Sequence, residues 1–169
     1  MNEQAILNIL ERLQHKYHGK FRGVVTDVDA STMRIKAKVP SVLGTQASGW
    51  ALPCVPYAGK DVGIAFLPEV GSGVWIEFEG GDVSMPIWTG CYWHDGEYPA
   101  DAKADVKVIV TASKHKLILD DANSKITIGD DAGNKITLDS NGVQFERGGQ
   151  TLLVSSSKVD VNSGALEVI

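Results

Sequence analysis

The chain has 169 residues, of which 43% are hydrophobic and 22% charged, and its formal net charge is −5. This composition is typical of a folded protein, and the acidic balance argues against a protein whose main task is to neutralise nucleic-acid phosphates. No run of about 18 apolar residues occurs, so no membrane-spanning helix is expected. The N-terminal residues lack the basic and apolar segments of a secretion signal, so we expect synthesis in the cytoplasm.

Residues 2–18, within an N-terminal segment 1–19, are predicted to form a short amphipathic helix. Apolar residues recur there at spacings of three and four, and Gly19 follows at the usual stop position. A single helix of this length is marginal in water, so its apolar face must pack on something. Its own domain, a sister subunit and a partner protein all remain open.

Residues 20–98 are predicted to form an all-β domain, joined by a short polar linker, 99–105, to the rest of the chain. Strand-like runs at 21–25, 34–39, 63–66 and 74–78 are separated by glycine and proline. About five strands in roughly 80 residues fit a small barrel or sandwich. The two cysteines, Cys54 and Cys91, stand in apolar surroundings, and we expect two buried thiols rather than a disulfide.

Residues 106–169 repeat a unit made of a short alternating strand and a polar turn. The segments 116–122, 125–132 and 135–140 are three copies of it. Alternate apolar residues should share one face of each strand, with Thr127 and Thr137 on the other face. The residues predicted to face inward are Leu117, Leu119, Ile126, Ile128, Ile136, Leu138, Val159 and Val161.

A repeat of this size cannot bury its own apolar side. Alone, the segment would expose an apolar stripe and unpaired strand edges. Three copies around a common axis would turn every apolar face inward through one repeated interface. The sequence therefore favours a homotrimer, with a single-chain solenoid as the alternative.

Several motifs of the all-β domain occur in a specific order and spacing. They are Met33–Pro40, Trp50-Ala51, Phe66–Gly71, Val74–Asp82 and Pro86–Gly90. In this order they resemble the OB-fold domain of contractile-tail spikes, a family that includes phage baseplate assembly protein V and the VgrG proteins of type VI secretion. The segment 126–139 resembles the intertwined, triple-stranded β-helix of the same proteins. The resemblance covers residues 20 to about 145.

This resemblance implies a mainly β protein with a short N-terminal helix, an OB-fold barrel and a trimeric β-helical spike. Its implied role is structural: a spike at the centre of the baseplate of a contractile injection system, piercing the target envelope when the sheath contracts. Such a spike would be part of the assembled particle. Two departures from the family pattern, at Ser72-Gly73 and Val83–Pro86, remove charged loop residues.

The resemblance also implies two protein partners, a separate hub and a PAAR-like tip protein. Residues assigned to hub docking are Ile6, Ile9, Leu10 and Leu13. The chain stops inside an alternating apolar pattern, so its last rung should be blunt and adhesive. Residues assigned to tip-protein contact are Leu166, Val168 and Ile169.

No catalytic constellation emerges, and we expect neither an enzyme nor a cofactor or metal site. The pairs Asp120-Asp121 and Asp130-Asp131 lack the spaced oxygen ligands of a calcium loop and are better interpreted as solvated turns. An OB-fold can also bind nucleic acid through basic and aromatic residues. Arg34, Lys36 and Lys38 form a small basic row that supports this alternative, whereas the net charge opposes it.

Overall fold

The computed structural model describes residues 16–168, excluding the side chain of Glu167, and these residues are mainly β. The chain divides into two compact units, residues 1–97 and 98–169. The predicted helix at 2–18, including its hub-docking residues Ile6, Ile9, Leu10 and Leu13, lies outside the described residues except for positions 16–18, which are not helical. Within the described residues, no helix is long and apolar enough to span a membrane.

The first unit is built on one five-stranded sheet. Its elements are β1 (Phe21–Asp29), β2 (Arg34–Lys38), α1 (Pro40–Leu43), β3 (Leu52–Pro53), β4 (Ala58–Gly59), β5 (Val62–Gly63), β6 (Gly73–Phe78), the 3-10 turn Glu79–Gly81 and β7 (Pro86–Tyr92). The sheet order is β2-β1-β6-β7-β3, and β4 pairs with β5 in a separate hairpin. The β3–β7 pair is parallel, and the other pairs are antiparallel.

The core of this unit lies on the inner face of the sheet. Alternation in β2 and β6 turns one set of side chains into it, as expected for half-buried strands. The buried residues are Val25, Ile35, Ala37, Val39, Ala51, Val74, Ile76, Phe78 and Trp88. Trp88 also donates its indole N–H to the Met33 carbonyl oxygen at 3.4 Å, which satisfies the polar end of a buried ring.

An aromatic cluster fixes the chain just before β1. The Tyr17 ring lies edge-on to Phe21 and Phe78, with centroid distances of 6.2 and 6.4 Å. The Tyr17 amide donates to the Gly81 carbonyl oxygen at 2.9 Å. A bridge between Ile35 of β2 and Ala51, the residue before β3, closes the sheet into a small barrel, and residues from 16 onward belong to it.

Two expectations for the first unit are wrong. Cys54 and Cys91 are free and exposed rather than buried. Cys54 follows the edge strand β3, and Cys91 occupies an outward position on β7, where Trp88 faces the core. The strand expected at 63–66 is also not formed: β5 ends at Gly63, and residues 64–66 are irregular and exposed.

The second unit is an eight-stranded antiparallel meander. Its strands are β8 (Val106–Val110), β9 (Lys116–Asp120), β10 (Lys125–Gly129), β11 (Lys135–Asp139), β12 (Gly142–Arg147), β13 (Gln150–Val154), β14 (Val159–Val161) and β15 (Leu166–Val168). Each strand pairs with its sequence neighbours. The repeat predicted to wind as a β-helix is therefore a single-layer sheet within one chain.

Candidate interaction surface

The registers of the meander align its alternate residues into two straight rows on one face. One row contains Ile109, Leu117, Ile128, Ile136, Phe145, Leu152, Val161 and Leu166. The other contains Lys107, Leu119, Ile126, Leu138, Val143, Val154, Val159 and Val168. We call these two rows the apolar face, because Lys107 is its one polar member.

The apolar face is uncovered in a single chain. Ten of its apolar side chains are more than one third exposed, ranging from 37% at Leu152 to 62% at Val168. The core residues of the first unit, by contrast, are at most 5% exposed. A contiguous apolar surface of this size on a single-layer sheet is typical of an interface with another protein.

The opposite face is polar at its centre and suits contact with water. Thr127 and Thr137 are paired across β10 and β11, and Gln144 follows on β12. Beside them the Lys135 ammonium lies 2.8 Å from a Glu146 carboxylate oxygen across the β11–β12 pair. The sheet is therefore two-sided, as a wall between water and an apolar interior would be.

The polar turns are held by aspartate side chains. Asp130 accepts hydrogen bonds from the Ala132 and Asn134 amides at 2.9 and 3.0 Å and from the Asn134 side-chain amide at 2.6 Å. Asp120 accepts the equivalent pair from Asn123. These bonds favour the ionised carboxylates and lower the pKa of both aspartates below its ordinary value, with the asparagine side chain as the main cause.

The first aspartate of each pair, Asp120 or Asp130, thus caps its turn. The second member of the first pair, Asp121, lies 2.8 Å from the Lys107 ammonium, which also donates to the Ala104 carbonyl oxygen at 3.0 Å. These contacts draw the charged end of Lys107 toward the turn at the edge of the apolar face. Among the described residues, no group of three or more His, Cys, Asp or Glu side chains is arranged to hold a metal ion.

All eight residues predicted to face inward lie on the apolar face, although their role at a trimer axis stays a prediction. Leu166 and Val168, predicted to contact a tip protein, lie at its last strand, 60% and 62% exposed, and Ile169 is outside the described residues. Sequence reasoning did not assign Ile109 to this face. Four of the five residues of β8 are apolar, so its pattern does not distinguish the two faces.

The basic row of the first unit is not a continuous exposed groove. Arg34 and Lys38 are exposed at the two ends of β2, whereas the Lys36 ammonium lies 4.8 Å from the ring centroid of Trp50. This cation–π contact uses the middle charge of the row within the barrel.

A small β-domain followed in the chain by a one-layer sheet with an uncovered apolar face is typical of a protein that works through contacts with other protein chains. Comparison with family models identifies it further. Residues 21–93 match the type VI secretion system and phage-baseplate injector OB domain. Residues 107–167 match the phage baseplate V C-terminal trimerisation domain. The two matches together cover most of the chain, which therefore belongs to the phage baseplate V family, with a structural role in the baseplate. No curated protein matches the chain significantly.

Proposed function

We propose that the chain is the homotrimeric central spike of a contractile injection system. The observation that carries this proposal is the two-row apolar face, which coincides with the match to a trimerisation domain. Three such sheets facing a common axis would bury both rows of each chain and leave the three polar faces in water. The strands of each wall are already paired within one chain, so the trimer would close through side-chain packing.

Three sheets packed around a common axis would form a narrow rod that suits a mechanical role. Eight strands spaced about 4.8 Å apart give a wall on the order of 35 Å long. Interiors filled with Ile, Leu and Val pack as densely as organic crystals and resist deformation. Driven by sheath contraction, such a narrow rod would concentrate force on the target envelope without any catalytic step.

The proposed spike has two protein partners. The last strand, β15, presents Leu166 and Val168 and an unpaired strand edge among the described residues, which a small PAAR-like tip protein would cover. The segment 1–15 would dock a separate hub. A truncation that removes residues 164–169 should abolish tip binding while leaving the trimer intact, and unchanged tip binding would contradict this assignment.

Labelling of assembled particles tests the spike role directly. A gold-binding tag fused after Ile169 should appear in electron micrographs on the baseplate axis, at the end away from the sheath. A tag on the baseplate periphery or on the sheath would contradict the proposal.

Nucleic-acid binding by the OB domain is the competing function. The contact between the Lys36 ammonium and the Trp50 ring does not favour it, because it engages the middle charge of the basic row. A gel-shift titration with single-stranded DNA separates the two functions. The spike proposal predicts that any weak shift of the DNA band disappears when salt is added and is the same for the Lys36→Ala variant. Tight binding that depends on Lys36 and Trp50 would favour the alternative.

A further inference from the structure

An arm of the first unit stands clear of its own barrel. Every residue from 56 to 66 is exposed, including Tyr57 at 56% and Phe66 at 63%. Its hairpin pairs only with itself, through β4 and β5 and a hydrogen bond of 3.0 Å from the Ile64 amide to the Tyr57 carbonyl oxygen. We call residues 56–66 the arm.

The arm is firmly rooted but uncovered. Val55 and Leu67, the residues on either side of it, pack against the core of the barrel. Within the arm the one pair of charges, Lys60 and the adjacent Asp61, lies at the tip of the hairpin and cancels. The exposed apolar side chains are Tyr57, Val62, Ile64 and Phe66. A rooted apolar projection with no net charge is suited to insertion into a partner surface.

The same barrel carries a second exposed apolar surface at its β3 edge. Ala51 is fully buried, so its neighbours Trp50 and Leu52 point outward, at 40% and 43% exposure. Leu52 pairs with Ile87 on β7, and Met85, two residues earlier, is 47% exposed. We call Trp50, Leu52 and Met85 the β3 patch; the Lys36 ammonium lies 4.8 Å from the Trp50 ring centroid, so Leu52 and Met85 form the uncharged part of the patch. Both the arm and the β3 patch are exposed within one chain.

We propose that the arm of each subunit docks on the β3 patch of the next subunit in the trimer. Neighbours in a closed cyclic ring meet through two different surfaces, and this barrel supplies one apolar projection and one separate apolar receptor. In the proposed trimer the three first units are tethered to one another through the associated sheets of the second units. Each is therefore present at high effective concentration for its neighbours, and a modest contact suffices. The inference rests on the proposed trimer and adds a second ring of contacts to it.

Mixed trimers built from two differently tagged full-length chains test the contact. One chain carries Cys54→Ser and Cys91→Ser with a single new cysteine at an arm position, in turn Tyr57→Cys, Val62→Cys, Ile64→Cys or Phe66→Cys. The other carries Cys91→Ser and keeps Cys54, which lies exposed two residues after Leu52. A product that contains both tags after treatment with a short bismaleimide can form only between subunits.

We expect at least one arm position to give this mixed product several-fold above a matched control. The control is Ser31→Cys, an exposed position in the β1–β2 turn outside the arm and the β3 patch. Adding Leu52→Asp to the chain that keeps Cys54 should reduce the product several-fold, because it places a charge in the apolar contact. Leu52 is exposed in a single chain, so this change should leave the barrel folded.

The outcomes separate this inference from the proposed function. Light scattering that gives a monomer overturns both. A trimer in which no arm cysteine exceeds the control, or in which Leu52→Asp leaves the product unchanged, overturns the arm contact alone. Protection of the arm cysteines from maleimide only after addition of the hub protein would assign the arm to the hub and overturn it as well.

Discussion

A charge placed on the apolar face should destroy assembly, whereas the same charge on the opposite face should be tolerated. Ile126→Asp and Thr127→Asp are neighbouring positions of β10 and form a matched pair. Ile126 lies between Leu119 and Leu138 on the apolar face, and Thr127 lies between Ile118 and Thr137 on the other. Both changes put aspartate into the same strand, and its poor strand propensity accounts for at most about 1 kcal/mol at either position.

The expected difference comes from burial in the trimer. An uncompensated buried charge costs about 3–5 kcal/mol, so three copies at one level of the axis cost roughly 10 kcal/mol per trimer. In a single chain Ile126 is 38% exposed, so the variant chain itself can still fold with its aspartate in water. Ile126→Asp should therefore yield folded chains that fail to assemble.

Light scattering and circular dichroism of the two variants provide the measurement. Thr127→Asp should keep the trimeric mass and most of its thermal stability. Ile126→Asp should lose the trimeric mass at micromolar concentration while keeping a β spectrum. Equal losses at both positions, or no loss at Ile126, would refute the assignment of the apolar face.

Three further predictions concern the N-terminal segment, a glycine of the second unit and the aspartate turns. Deleting residues 1–15 should leave a stable trimer that no longer enters particles, as judged by immunoblotting of purified baseplates; normal incorporation would reject hub docking. Gly142→Ala should lower the melting temperature far more than Gly133→Ala, since of these two positions only Gly142 would place the added methyl group against backbone, that of Val154. Similar melting-temperature shifts for the two variants would contradict this close contact. The pKa values of Asp120 and Asp130 are lower in the folded chain than their ordinary value of 3.8. The two carboxylates therefore stabilise the fold at pH values above 3.8, and this contribution is lost as the pH falls through their folded pKa values. Asp120→Asn combined with Asp130→Asn should flatten the acid limb of stability measured by urea unfolding, and an unchanged limb would contradict the role of these turns.

The faces of the second unit could be predicted from the sequence because its strands alternate cleanly. Ile126, Ile128, Ile136 and Leu138 alternate with polar residues, and one-residue slips would turn them to the wrong side. The pairing within one chain could not be predicted, because a strand-and-turn repeat has the same pattern in a meander and in an intertwined helix.

The first unit shows why exposure is harder to predict than strand position. Residues 62–66 are apolar enough to resemble a buried strand, yet they belong to the arm and are exposed. Cys54 and Cys91 likewise stand among apolar neighbours and are exposed in one chain. Apolar composition alone does not distinguish a core from an exposed surface or from an interface with another subunit.

The oligomeric mass of the purified chain tests the central claim most directly. Multi-angle light scattering at micromolar concentration should give three times the chain mass of 18.1 kDa. A species of one or two chain masses under the same conditions would contradict the trimeric spike.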